Sequence, residues 1–67
     1  MDYIETILGQ LRDSEWHSVG EIRKNVSLPD DKLNELLRIM GDLAFIDKKN
    51  GELRITPLGL KFLELHA

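Results

Sequence analysis

The sequence predicts an α+β fold: a three-helix core, a two-stranded hairpin and a closing C-terminal helix. Three observations predict it. Apolar residues recur at helical spacing in separate stretches, Lys49-Asn50-Gly51 sits between two short runs of strand character, and helix-start signals recur at Ser18, Pro29 and Thr56-Pro57.

The first helix is expected to start at Asp2, with Glu5 three residues on as a variant capping box. Ile4, Ile7, Leu8 and Leu11 fall on one face at 100° per residue, with Glu5, Gly9 and Arg12 opposite and Tyr3 at the edge. Asp13-Ser14-Glu15 breaks the pattern, and Trp16-His17-Ser18 reads as a short extended segment anchored through the indole. Ser18 followed by Glu21 is a second capping box, opening a short helix with Val19, Ile22 and Val26 inward and Arg23 and Lys24 outward.

Ser27-Leu28-Pro29-Asp30-Asp31 is a turn into the third helix, where proline is tolerated and two acids complement the positive end of the dipole. Leu33, Leu36, Leu37, Met40, Leu43 and Ala44 make its apolar face; Asp31, Asn34, Glu35, Arg38 and Asp42 lie outward. Phe45-Ile46-Asp47-Lys48 and Glu52-Leu53-Arg54-Ile55 then flank Asn50-Gly51, the favoured pair for a type I′ turn. Thr56-Pro57 carries the cap and first-position signature of a final helix running to about Leu65.

That final helix has apolar residues on more than one side. Leu58, Phe62 and Leu65 are expected to face the core, leaving Leu60 and Leu63, with Ala67, as a second stripe flanked by Lys61 and Glu64. Either the first helix and the chain end cover both stripes within the monomer or, since so short a chain offers little to cover a second one, Leu60 and Leu63 form a two-fold homodimer seam, which is the expectation.

At 67 residues and 42% hydrophobic content, there is room for one domain, residues 1–67, with one small core and no buried catalytic cleft. Without cysteine, neither a disulfide nor a thiolate metal site can supplement that core. The first residues carry acids where a secretory signal carries bases, and no apolar run approaches the ~20 residues of a membrane span. A cytoplasmic protein with no membrane partner is the expectation. A net charge of −3 and a pI near 5.2 give no general attraction to phosphate, so nucleic-acid binding would need a local basic patch.

No catalytic constellation emerges, and neither an enzyme nor a cofactor is expected. His17 and His66 lack a second ligand at metal spacing and read as surface or loop residues, while Asp30-Asp31 is explained by helix capping. Gly9 and Gly41 mark close helix approach or simply weaken their helices by about 1 kcal/mol each.

The order of elements, the lead-in Glu15-Trp16-His17-Ser18-Val19 and the ending Ile55-Thr56-Pro57-Leu58-Gly59-Leu60-Lys61-Phe62-Leu63 resemble the winged helix-turn-helix family, especially small archaeal-type transcriptional regulators. The resemblance covers Tyr3 to Leu65. It implies that Pro29 to Leu43 is a recognition helix for the major groove of double-stranded DNA, and that the hairpin between residues 45 and 55 is a wing on flanking phosphates. Carried over by position, groove-facing residues fall on Asp31, Asn34, Glu35 and Arg38, and wing contacts on Lys48, Lys49, Asn50 and Arg54. Arg23 and Lys24 add a basic rim. The helix departs from the family in opposing three outward acids, Asp31, Glu35 and Asp42, to one base, Arg38, since acids repel phosphates although they can accept from cytosine amino groups. Members of the superfamily also serve as interaction modules, so the acidic face fits a protein partner as the alternative.

Overall fold

The structure is a computed structural model describing residues 3–66, so the expected Asp2 cap and Ala67 contact lie outside the described residues. The elements run α1 (Tyr3–Gln10), β1 (His17–Ser18), α2 (Val19–Lys24), α3 (Asp30–Asp42), β2 (Ile46–Lys49), β3 (Glu52–Ile55) and α4 (Pro57–Leu65). The architecture is α+β, with helices packed on an antiparallel sheet of strand order β1-β3-β2. None of these helices is long and apolar enough to cross a membrane.

Local chemistry accounts for most boundaries. Ser18 Oγ accepts the Glu21 backbone N–H at 3.0 Å and Thr56 Oγ1 accepts that of Gly59 at 3.0 Å, so both expected caps form. Asn50 and Gly51 take φ of 51° and 79°, the two positive values a type I′ turn demands. That turn sets the register Lys49↔Glu52, Lys48↔Leu53, Asp47↔Arg54 and Ile46↔Ile55. The extended segment before α2 becomes a third strand: His17 pairs with Leu53 and Ser18 with Glu52, so the expected two-stranded hairpin is one part of a three-stranded sheet.

The core joins Ile7, Leu8 and Leu11 to Ile22, Leu33 and Met40, all with no exposed surface, and the sheet adds Ile46, Leu53 and Ile55. Two expectations about burial are corrected. Leu43 is 49% exposed and Ala44 is exposed as well, because α3 ends at Asp42, two residues before its apolar run does. Ala44 takes φ 63°; its N–H donates to Gly41 C=O and that of Phe45 to Met40 C=O, both at 3.0 Å. This is a Schellman motif with alanine in the left-handed position usually held by glycine. It turns the chain so that Phe45, not Leu43, packs against the core.

The inward face of α4 also differs from the expectation, although Phe62 packs against the core as expected. Leu63 is 6% exposed and Leu60 packs against the core, whereas Leu58 is 50% and Leu65 74% exposed. The supposed homodimer seam of Leu60 and Leu63 is therefore the inward face. The reason lies at Gly59, where a Cβ would stand 2.3 Å from the Phe45 carbonyl oxygen and 2.9 Å from Ile55 Cγ1. Backbone of α4 lies directly on the chain leaving α3, and Thr56 reinforces this by donating its N–H to Phe45 C=O and its hydroxyl to Ala44 C=O. With the Gly59 side turned inward, Leu63 follows it one turn on.

Candidate nucleic-acid interface

The outward residues of α3, Asp31, Asn34, Glu35, Arg38 and Asp42, are all exposed along one side of the helix. Asn34, Arg38 and Gly41 share a row at spacings of four and three. A Cβ at Gly41 would meet Lys48 Cε at 3.3 Å and Nζ at 3.7 Å, so the Lys48 side chain lies across the last turn of α3. An ammonium there complements the negative end of the helix dipole. Lys48 extends the Asn34–Arg38 row onto the hairpin, and Gly41 leaves the space it occupies. Gly9 has open space around it and Gly41 is approached by the Lys48 side chain and not by a helix, so neither glycine marks the close helix approach expected of it.

At the other end of α3, Arg23 Nε of α2 lies 3.1 Å from Asp30 Oδ1, tying the two helices across their turn. Lys24, Lys49 and Asn50 are exposed, as expected for a rim and a hairpin tip. Lys32, which the sequence reading passed over, is an exposed cation in the first turn of α3. Its position directly after the paired aspartates masked it.

The arginines and the lysines are differently committed. Arg23, Arg38 and Arg54 each lie near an aspartate, at 3.1 Å from Asp30, 3.4 Å from Asp42 and 3.5 Å from Asp47. Among the described residues no ion pair engages Lys24, Lys32, Lys48 or Lys49. Pairs this exposed contribute about 0–1 kcal/mol each, so a phosphate can displace the aspartate at little cost. Arg54 is the most restrained: its guanidinium carbon sits 4.5 Å over the Trp16 ring, a cation–π contact that braces the base of the hairpin. It is thus a bracing residue first, and the unpaired cations of the hairpin are Lys48 and Lys49. The Asp47–Arg54 pair was legible in advance, since a two-residue Asn50-Gly51 turn sets residue 47 opposite residue 54.

Neither histidine is idle. His66 stacks on Phe62 at 4.2 Å between ring centroids, and Phe62 in turn contacts Phe45 at 4.7 Å. The His17 imidazole is 14% exposed and held from both sides, Nε2 at 2.8 Å from Asp13 Oδ1 and Nδ1 at 2.6 Å from Glu21 Oε2. These carboxylates raise the His17 pKa above its ordinary value, Asp13 most and Glu21 next. The same His17 contact, then the Glu15 N–H, lowers that of Asp13. Glu21, expected to return a bond to its own cap, is turned to His17 instead. Among the described residues no group of three acidic or histidine side chains is arranged to hold a metal ion.

An open cleft of about 240 Å³ lies between the α1–β1 connection, the base of the hairpin and the start of α4, with Asp47 and Arg54 as its charged wall. Comparison with protein-family models, curated proteins and solved structures finds no match for the chain.

Proposed function

We propose that the protein is a winged helix-turn-helix domain that binds double-stranded DNA as a small transcriptional regulator. The observation that carries this reading is Lys48 lying across α3 at Gly41. It joins the exposed Asn34–Arg38 row and the hairpin into one surface. On this reading Asn34 and Arg38 read base edges, Asp31 and Glu35 accept from cytosine amino groups, and Lys48, Lys49 and Asn50 hold flanking phosphates. Lys24 and Lys32 supply further phosphate contacts, and Arg23 contributes once it leaves Asp30.

A protein-binding role for α3 is the second reading, favoured by one observation: Ile39 and Leu43 are exposed beside the acidic row. Titration with duplex DNA at several salt concentrations separates the two. For DNA binding, log affinity falls linearly with log salt, and Lys48→Ala with Lys49→Ala flattens the slope by about 2. Changing Asp31, Glu35 and Asp42 to their amides raises non-specific affinity. Undetectable binding by both the parent and the amide variant at low salt, over a random-sequence duplex pool, overturns the DNA reading in favour of the protein partner.

A further inference from the structure

We propose that Asp13, His17 and Glu21 form a proton-controlled clasp that fastens the start of α2 and the third strand of the sheet, and that loses its hold when His17 gives up its proton. This inference goes beyond the DNA reading and stands independently of it.

The geometry carries it. A carboxylate has no proton to donate, so two carboxylate oxygens at 2.6 and 2.8 Å from the two ring nitrogens require both nitrogens to donate. Only the imidazolium can do that. The three residues come from three parts of the chain: Asp13 from the segment leaving α1, His17 from β1, and Glu21 from the first turn of α2. Asp13 Oδ1 also accepts the Glu15 N–H at 2.9 Å, which orients it toward the ring.

Other charges around the ring do not replace its proton. On β3 the residue opposite His17 is Leu53, and the neighbours Glu52 and Arg54 alternate to the other face, where Arg54 covers Trp16. Among the described residues Arg12, Arg23 and Lys24, the nearest cations along the chain, make no ion pair with Asp13 or Glu21, and Arg23 pairs with Asp30 instead. Deprotonation therefore leaves one ring nitrogen with a lone pair facing a carboxylate and removes the charge separating the two acids.

What the clasp fastens is informative. Directly after β1, the Val19 N–H donates to Gly51 C=O at 3.1 Å, so the first residue of α2 is bonded to the hairpin turn. His17 thus sits where the hairpin, the third strand and α2 meet. The sign follows from linkage. His17 is raised in the folded state from an ordinary value near 6.5, so its contribution is complete below that value and is lost as pH rises through the folded pKa. Asp13 is lowered from 3.8, so its part is present above that value and is lost as pH falls through its folded pKa. The clasp works in the window between.

The test is an NMR titration of the His17 ring protons, assigned with His66→Gln, together with amide protection of Val19 from about pH 6 to about pH 9, corrected for intrinsic exchange. The expected result is an elevated His17 pKa and a loss of Val19 protection of about tenfold for each unit of elevation, with no such loss in His17→Gln. Asp13→Asn and Glu21→Gln each bring the His17 pKa down, which keeps the test decisive if His17→Gln fails to fold. A His17 pKa at its ordinary value, or one unmoved by either carboxylate variant, overturns the clasp. So does equal pH dependence of Val19 protection in His17→Gln.

Discussion

Helices α3 and α4 are both amphipathic, yet the inward face of α3 could be read from its residues and that of α4 could not. In α3 the outward arc is marked by Asp31, Glu35, Arg38 and Asp42, and a charged residue is almost never fully buried without a partner, so one orientation alone satisfies them. In α4 only Lys61 and Glu64 are charged between Pro57 and Leu65, and apolar residues occupy most of the circumference. Periodicity then offers two stripes of similar quality. The choice was made by a backbone contact, Gly59 against Phe45 C=O, which no hydrophobic pattern records. Charges orient a helix more legibly than apolar residues do, because burying an unpaired charge costs more than exposing a leucine.

The glycines of the two helices offer the largest test of this contrast. Gly59→Ala drives a Cβ into backbone and is expected to cost about 3–5 kcal/mol, enough to unfold most of a domain this size. In Gly41→Ala the obstacle is the far end of the Lys48 side chain, which can swing away. That variant is expected to lie between neutral and a gain of about 1 kcal/mol from helix propensity. Urea denaturation of both variants decides the matter; similar costs would mean that Gly59 does not set the orientation of α4.

The leucines of α4 give the next effect. Leu63→Ala removes a buried side chain and is expected to cost about 2–3 kcal/mol, while Leu58→Ala is expected within about 0.5 kcal/mol of the parent. Thermal or denaturant midpoints read this directly. The reverse ranking would restore the expectation that Leu58 faces the core and Leu63 a partner.

The smallest effect sharpens the end of α3. Ala44 holds φ 63° in a position that favours glycine, so Ala44→Gly is expected to stabilise the fold by about 1 kcal/mol despite the added freedom of the unfolded chain. A loss of stability on that change would show that the left-handed turn is not what ends the helix.

The candidate site was legible in pieces. The exposed row on α3 and the hairpin tip followed from spacing and from Asn-Gly. The join between them did not, since it depends on Lys48 meeting Gly41 across seven residues and a chain reversal at Ala44. Ala44 has no turn-forming side chain to announce that reversal. The role of His17 was hidden for a related reason: Asp13 and Glu21 lie four residues to either side, a spacing that means contact within a continuous helix but here spans a loop, a strand and a helix start.

By itself the sequence determined what local chemistry can enforce. Side-chain oxygens at Ser18 and Thr56 start helices, two residues tolerant of positive φ close the hairpin in one register, and outward charges orient α3. Each acts within about four residues, so no distant partner is needed. Tertiary structure decided which stripe of α4 faces inward, the recruitment of His17 and Ser18 into the sheet, the stacking of Arg54 on Trp16 and the enclosure of His17 by two acids. Those outcomes depend on distances between segments far apart in the chain, and only the packed core brings them within reach.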